Sequence, residues 1–130
     1  MAGTITLAHS ALGNVRKITA TCTADAADGS FPNTVLPVFE GRLLHLETNP
    51  GATAPTALYD ITVEDQNAVD VLQGVGANRS ATASERANIV YSGGIDHPVV
   101  DGSDALTLKI AGNAVNSAIT VIDLVYALGA

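Results

Sequence analysis

Residues Leu58–Glu64 read LYDITVE, and this stretch indicates how the chain folds. Apolar or aromatic side chains occupy positions 59, 61 and 63, whereas acidic or hydroxyl side chains occupy positions 60, 62 and 64. Because successive side chains of a β-strand point to opposite faces, this alternation predicts a strand with one face in the core. Leu106–Ile110 (LTLKI) repeats the pattern. The sequence therefore predicts a β-sheet scaffold.

Similar segments recur along the chain, separated by glycine, proline and asparagine turn signals. The predicted strands are Thr4–Ala8, Val15–Thr23, Val35–Phe39, Gly41–Thr48, Leu58–Asp65, Asn88–Tyr91, Leu106–Ile110 and Ala118–Leu128. Gly13 and Asn14 separate the first two strands and predict a hairpin turn. About eight strands spaced roughly ten residues apart predict an all-β fold, an antiparallel β-sandwich or jelly roll.

Three segments lack strand periodicity. Ala24–Asn33 is rich in turn residues, and Gly74–Arg86 consists mostly of small and polar residues, so both are predicted to be surface loops. Asn67–Leu72 places Val69 and Leu72 three residues apart, which favours a short helical or turn segment.

The composition limits the function classes. A length of 130 residues is close to the commonest size of one domain, so we expect a single β-sandwich domain over residues 1–130. The formal net charge of -7 disfavours nucleic acid as a partner, because the phosphate backbone is itself anionic. No segment approaches the roughly twenty apolar residues of a membrane span, so we expect no membrane contact. The N-terminus lacks the features of a secretory signal, and synthesis in the cytoplasm is expected.

Residues with reactive potential are few and scattered. Cys22 is the single cysteine, and its place in a predicted strand indicates a buried apolar side chain rather than a reactive thiol. Gly74–Arg79 (GVGANR) lacks the third glycine of a dinucleotide fingerprint. The three histidines, His9, His45 and His97, show no metal-ligand spacing, and GxSxG is absent. We therefore expect no catalytic residues, no cofactor and no metal, with an ion near Asp65 and Asp70 left open because the EF-hand pattern is incomplete.

The strand predicted at Ala118–Leu128 is apolar on both faces apart from Thr120 and Asp123. We expect one face in the core and the other in contact with a second subunit. The residues expected in the core are Ile119, Val121 and Val125. The residues expected to face outward are Ile122, Leu124 and Tyr126. The alternative is that a second layer of the same chain covers them.

The C-terminal half resembles small virion proteins of tailed bacteriophages. The residues that carry the resemblance are Tyr59–Asp65, Val69–Leu72, Gly74–Arg79 and Leu106–Ile110 followed by the terminal apolar strand. The resemblance implies a non-enzymatic decoration or cement protein on the capsid exterior, which binds the major capsid protein and forms a homo-oligomer, a dimer or trimer. It carries over no catalytic residues.

For such a protein we expect contacts in Met1–Ser10, Ala24–Asn33 and Gly74–Arg86, together with the outer face of the terminal strand. The candidate interface residues are Ile5, Leu7, Phe31, Asn78, Arg79, Arg86, Ile122, Leu124 and Tyr126. Two alternatives stay open: a tail or neck (head-tail adaptor) component, and a carbohydrate-binding β-sandwich. The second is disfavoured because sugar sites present aromatic platforms and this chain has no tryptophan.

Overall fold

The computed structural model describes residues 2–91, 94–103 and 105–128. Over these residues the chain forms strands, turns and loops, and no helix is long and apolar enough to cross a membrane. The strands are β1 (Thr4–Leu12), β2 (Val15–Thr23), β3 (Thr34–Val35), β4 (Glu40–Pro50), β5 (Asp60–Glu64), β6 (Glu85–Asn88), β7 (Val99–Asp101), β8 (Thr107–Ala111) and β9 (Ile119–Ala127).

The strands form two antiparallel sheets. The larger sheet has the order β1-β2-β9-β4-β6, and β7 also pairs with β4. The smaller sheet has the order β3-β8-β5. Both contribute to one hydrophobic core, so the predicted all-β fold is confirmed as two sheets packed as a sandwich. The jelly roll stays a prediction.

The core lies on the inner face of β9, and this overturns the predicted orientation of that strand. Ile122, Leu124 and Tyr126 are 2%, 4% and 1% exposed, respectively, and they pack in the core. The prediction that they face outward is wrong, because other parts of the same chain cover them: Val63 and Leu108 of the smaller sheet lie near Ile122 and Leu124, and Phe39 packs on Tyr126. Val121 lies on the opposite face and is only partly buried.

Phe31 is also buried and belongs to the same core, so its prediction as an exposed contact is wrong. The Ala24–Asn33 loop folds inward at this residue, where the aromatic ring removes its apolar surface from water. Ile5 and Leu7 are partly buried and pack against the core from β1. Cys22 is fully buried as predicted, and burial raises the pKa of its thiol to about 12.

The region between β5 and β6 differs from the prediction. Residues 67–72 contain turns, which is one of the two predicted forms, whereas residues 70–79 lie along the free edge of β5. The N–H of Val71 donates to Val63 O at 2.8 Å, and the N–H of Ile61 donates to Gly76 O at 2.8 Å. Only the last part of the predicted loop is a strand, which begins at Glu85 as β6. The short strand β7 was not predicted.

Gly76 permits this close approach. It is buried against β5, and a Cβ at position 76 would overlap the backbone carbonyl oxygen of Ile61. Gly13, in the β1–β2 turn, differs because its φ of +61° is left-handed but a Cβ there would meet no atom within 4 Å. The two glycines are therefore needed for different physical reasons.

We expect Gly76→Ala to destabilise the protein by about 3 kcal/mol, at the upper end of the cost of overpacking, because backbone must move. Gly13→Ala is the matched control and should cost ~1 kcal/mol for its left-handed conformation. Urea unfolding of both variants measures the difference. Equal costs would contradict the packing of residues 70–79 against β5.

A hydroxyl pair crosses the core between the two sheets. Tyr59 Oη and Thr120 Oγ1 lie 2.8 Å apart in a hydrogen bond, and both residues are fully buried. Burial raises the pKa of the Tyr59 phenol. Thr48 is buried too, but its Oγ1 has no hydrogen-bond partner among the described residues.

Thr120→Val should destabilise the protein by ~1–3 kcal/mol, because it leaves the Tyr59 hydroxyl buried and unpaired. Thr48→Val makes the same chemical change at a hydroxyl that lies near the Tyr59 phenol but forms no hydrogen bond of standard geometry, and its effect should be smaller. The urea midpoints of the two variants test this. A loss for Thr48→Val as large as for Thr120→Val would sink the interpretation.

Candidate interaction surface

The polar residues considered as chemical sites have structural partners. No group of three or more His, Cys, Asp or Glu side chains within the described ranges is placed to hold a metal ion. His9 Nε2 lies 2.7 Å from Tyr126 Oη, and His97 Nδ1 lies 2.6 Å from the carbonyl oxygen of Ile89. His45 is on the outer face of β4.

Asp65 and Asp70, where an ion was left open, cap the turns that follow β5. Asp65 Oδ1 accepts hydrogen bonds from the backbone N–H groups of Asn67 and Val69. Asp70 Oδ1 accepts from Val63 and Leu72, and its Oδ2 accepts from Gly74. These hydrogen bonds hold the turns after β5, and residues 70–79 along its edge, in place. Both carboxylates therefore have a structural role.

The most distinctive surface feature is a row of side chains at the end of the sandwich that carries the β1–β2 turn. Cross-strand partners in an antiparallel sheet share a face. The register pairs Leu12 with Val15, Val15 with Ala127, Ala127 with Arg42, and Arg42 with Val99. We call these five residues the end row. It runs across five strands on the outer face of the larger sheet.

Four of the five residues of the end row are apolar, and the fourth in order is Arg42; Leu12, Val15 and Val99 are exposed, whereas Ala127 and Arg42 are partly buried. Leu12 is 86% exposed, Val15 48% and Val99 54%. The alternation of β1 and β2 continues to the turn, so Leu12 and Val15 point to the outer face, away from the smaller sheet. A shallow groove beside the row is lined in part by Leu12, Val15 and Val125. Single exposed apolar side chains are common on protein surfaces, whereas several adjacent ones are typical of a contact surface.

Three of the six basic residues lie at the same end, beside the acidic residues Glu40 and Asp101, which are cross-strand partners on β4 and β7 next to Arg42 and Val99. Three of the six basic residues form ion pairs elsewhere: Arg79 with Glu85, Arg86 with Glu47, and Lys109 with Glu64. The other three basic residues are Arg16, Lys17 and Arg42. Within the described ranges none of these three has a carboxylate close enough for an ion pair.

Arg42 has a further orphan group, because its buried Nε lacks a hydrogen-bond partner among the described residues. Arg16 donates from Nε to the carbonyl oxygen of Gly13 at 3.3 Å, which leaves its charge uncompensated. Lys17 and Arg42 lie on the outer face with the apolar residues of the end row, whereas Arg16 lies on the opposite face of β2, near Tyr126. This combination suits a protein surface that is apolar and acidic.

The structure does not bring the other predicted interface residues into this surface. Asn78 is exposed, and its N–H donates to Asp60 Oδ1 at 2.9 Å. Arg79 is bridged to Tyr59 through the backbone, and its side chain is 14% exposed. Arg86 pairs with Glu47 on the outer face at 2.9 Å. Their role as contacts stays a prediction.

Sequence reasoning missed the end row. Leu12 and Val15 flank the predicted turn, and an apolar residue on each side of Gly13-Asn14 was a usable signal. Arg42 and Val99 had no such signal, because their positions depend on pairing between β4 and β7.

No protein-family model matches the chain, and no curated protein matches it. Among solved structures, a chain of the cyanophage Pam1 capsid asymmetric unit is similar, with 21% sequence identity over 98% of this chain and 87% of that chain. The TM-score is 0.40. This value is too low for the likeness to support an argument about fold or function.

His45 lies on the same outer face, and its pKa is lowered from the ordinary value of 6.5 by burial and by the Arg86 charge, against the opposing effect of Glu47 and Asp123. The folded protein therefore binds a proton at this site less readily than the unfolded chain. The resulting stability is present above pH 6.5 and is lost as the pH falls through the lower folded pKa.

We expect His45→Gln to lose less stability than the wild type when the pH falls below 6.5. Urea unfolding at neutral and mildly acidic pH measures how the free energy of unfolding changes with pH in the wild type and in the variant. Identical pH dependence of wild type and His45→Gln would contradict the assignment.

Proposed function

We propose that the chain is a non-enzymatic structural protein of a bacteriophage virion, a decoration or cement protein that binds the major capsid protein on the capsid exterior. The observation that carries the proposal is the end row with Lys17 on the same outer face. It offers an exposed apolar contact and uncompensated cations on a chain of net charge -7. The sequence resemblance to small virion proteins supports the same class.

The mechanism requires no reaction. A protein that binds assembled subunits in preference to separated ones stabilises the assembled state by mass action. A standard interface of ~800 Å² per partner is sufficient for each copy, and repeated copies on a lattice add to the total stabilisation. The apolar residues supply affinity, whereas the cations favour an acidic partner and speed encounter.

The placement of the aromatic residues disfavours a carbohydrate-binding function. Phe31, Phe39, Tyr59 and Tyr126 are buried, and Tyr91 is the one aromatic side chain with substantial exposure, 47%. An isolated tyrosine does not form the aromatic platform that sugar rings stack on. A tail or neck component stays the alternative, and the experiment below distinguishes it from a capsid decoration protein.

Co-sedimentation with undecorated, expanded phage capsids tests the proposal. We expect saturable binding at a fixed ratio to the major capsid protein, and a raised capsid melting temperature. A closed ring in solution that ignores capsids would favour the tail or neck component. A protein that does neither would reject the virion proposal and return the ligand-binding module to consideration.

Leu12→Asp should weaken capsid binding by about tenfold or more, which corresponds to ~1.4 kcal/mol. Leu58→Asp is the matched control, since Leu58 is also exposed (62%), receives the same charge change and lies in the turn before β5, away from the end row. Both variants should keep wild-type thermal stability. Equal weakening by the two would show that the end row is not the contact.

A further inference from the structure

β1 is a long edge strand with one partner. It pairs with β2 through nine consecutive residue pairs, from Thr4 with Thr23 to Leu12 with Val15, and the register is unbroken. The sheet order leaves the other side of β1 without a neighbouring strand in the described chain. An unpaired edge of this kind presents N–H and C=O groups to any strand that approaches.

The other edges are short or covered. Residues 70–79 cover β5 through backbone hydrogen bonds, including Arg79 N–H to Tyr59 O at 2.8 Å. β6 has four residues and carries Glu85 and Arg86, and β3 has two residues between Pro32 and Pro37. These features are the usual protection against edge-to-edge pairing.

β1 has none of this protection. Its sequence, TITLAHSAL, contains no Lys, Arg, Asp, Glu or Pro. Its Thr and Ile side chains favour extended backbone. The strand is therefore open to pairing along its whole length.

The turn geometry determines which backbone groups point outward. Leu12 and Val15 close a two-residue turn, and the closing pair of such a hairpin exchanges both hydrogen bonds. Alternate residues from Leu12 backwards therefore bond β2. The residues between them direct their N–H and C=O groups away from the sheet; these are Ile5, Leu7, His9 and Ala11.

We infer that β1 is a self-association surface, on which β1 of a second copy pairs antiparallel about a two-fold axis and joins the two larger sheets. A second copy fits because the strand is neutral, so the acidic chains meet where neither carries a formal charge. It also fits because an antiparallel strand pair about a two-fold axis is self-complementary.

The side chains of β1 also favour pairing with a second copy of the chain. Ile5 and Leu7 lie on the core side but are only partly buried, since no strand continues the sheet beyond β1. A paired copy would cover their remaining surface. The outer face carries the small residues Thr6, Ala8 and Ser10, which leave room for a neighbouring strand.

This inference does not rest on the proposed function, because it concerns two copies of the same chain. One strand pair is a smaller contact than the ~800 Å² per partner of a standard interface, so the dimer should dissociate on dilution. Sedimentation velocity over a concentration series measures this equilibrium without any capsid.

Amide hydrogen exchange gives the residue-level test. In a monomer, the N–H groups of Ile5, Leu7, His9 and Ala11 should exchange quickly, while those of Thr6, Ala8 and Ser10 are protected by β2. In the dimer both sets of amides should be protected from exchange. On dilution only the outward amides of Ile5, Leu7, His9 and Ala11 should lose this protection. A monomer at all concentrations, or an oligomer in which the first set still exchanges quickly, would overturn the inference.

Thr6→Lys places a cation on the edge and should weaken the dimer about fivefold or more. Thr21→Lys is the matched control, because Thr21 is the exposed cross-strand partner of Thr6 on the neighbouring strand β2. Ala11→Pro removes one outward N–H and should weaken the dimer while leaving the β1–β2 ladder intact.

Melting temperatures establish that the variants are folded. Equal dimer affinity for Thr6→Lys, Ala11→Pro and Thr21→Lys would overturn the inference even if a dimer forms. Protection of the outward amides only after capsids are added would also overturn it, since the occupant would then be a strand of the capsid protein.

Discussion

The pairing of β9 with β2 on one side and β4 on the other is the constraint on which the rest of the structure depends. Nine residue pairs join β9 to β2 and eight join it to β4. These ladders bring the last described strand between two early ones. The core face, the end row and the position of β1 at the edge all follow from their register.

A one-residue slip would expose the core side of β9, because it turns every side chain to the opposite face. The register is pinned by the burial of Ile122 and Leu124 and by the hydrogen bond between Thr19 Oγ1 and Asp123 Oδ1, 2.6 Å long, on the outer face. A bulge between Leu43 and His45 adjusts β4 to this register. Arg42 is thereby placed opposite Ala127, in the end row.

The sequence predicted most strands but not the orientation of β9. Alternation in LYDITVE was decisive because one face was polar, whereas both faces of residues 118–128 are mostly apolar. Asp123 was the neglected signal: it shares a face with Val121 and Val125, and a carboxylate resists burial more strongly than the Thr120 hydroxyl opposite. That face should have been assigned to solvent.

Features that arise from pairing between distant segments were beyond sequence reasoning. β7 has three residues and exists as a strand because β4 is beside it. Residues 70–79 have no strand periodicity, yet they cover β5 because Gly76 permits close contact. Local patterns do not encode such partners, which explains why the end row was also missed while the strand boundaries of β2 were correct.

The ion pairs also depend on contacts between segments that are distant in the sequence. Arg86 and Lys109 meet their carboxylates across strands, 39 and 45 residues away in the chain. Their sequence positions look no different from those of Arg16, Lys17 and Arg42, which the fold leaves without acidic partners. The protein therefore combines an acidic chain with one end at which cations without ion pairs lie near apolar side chains. In the proposed contact, salt would screen the cations but not the apolar side chains, so the two contributions to binding would be physically separable, one setting partner choice and the other affinity.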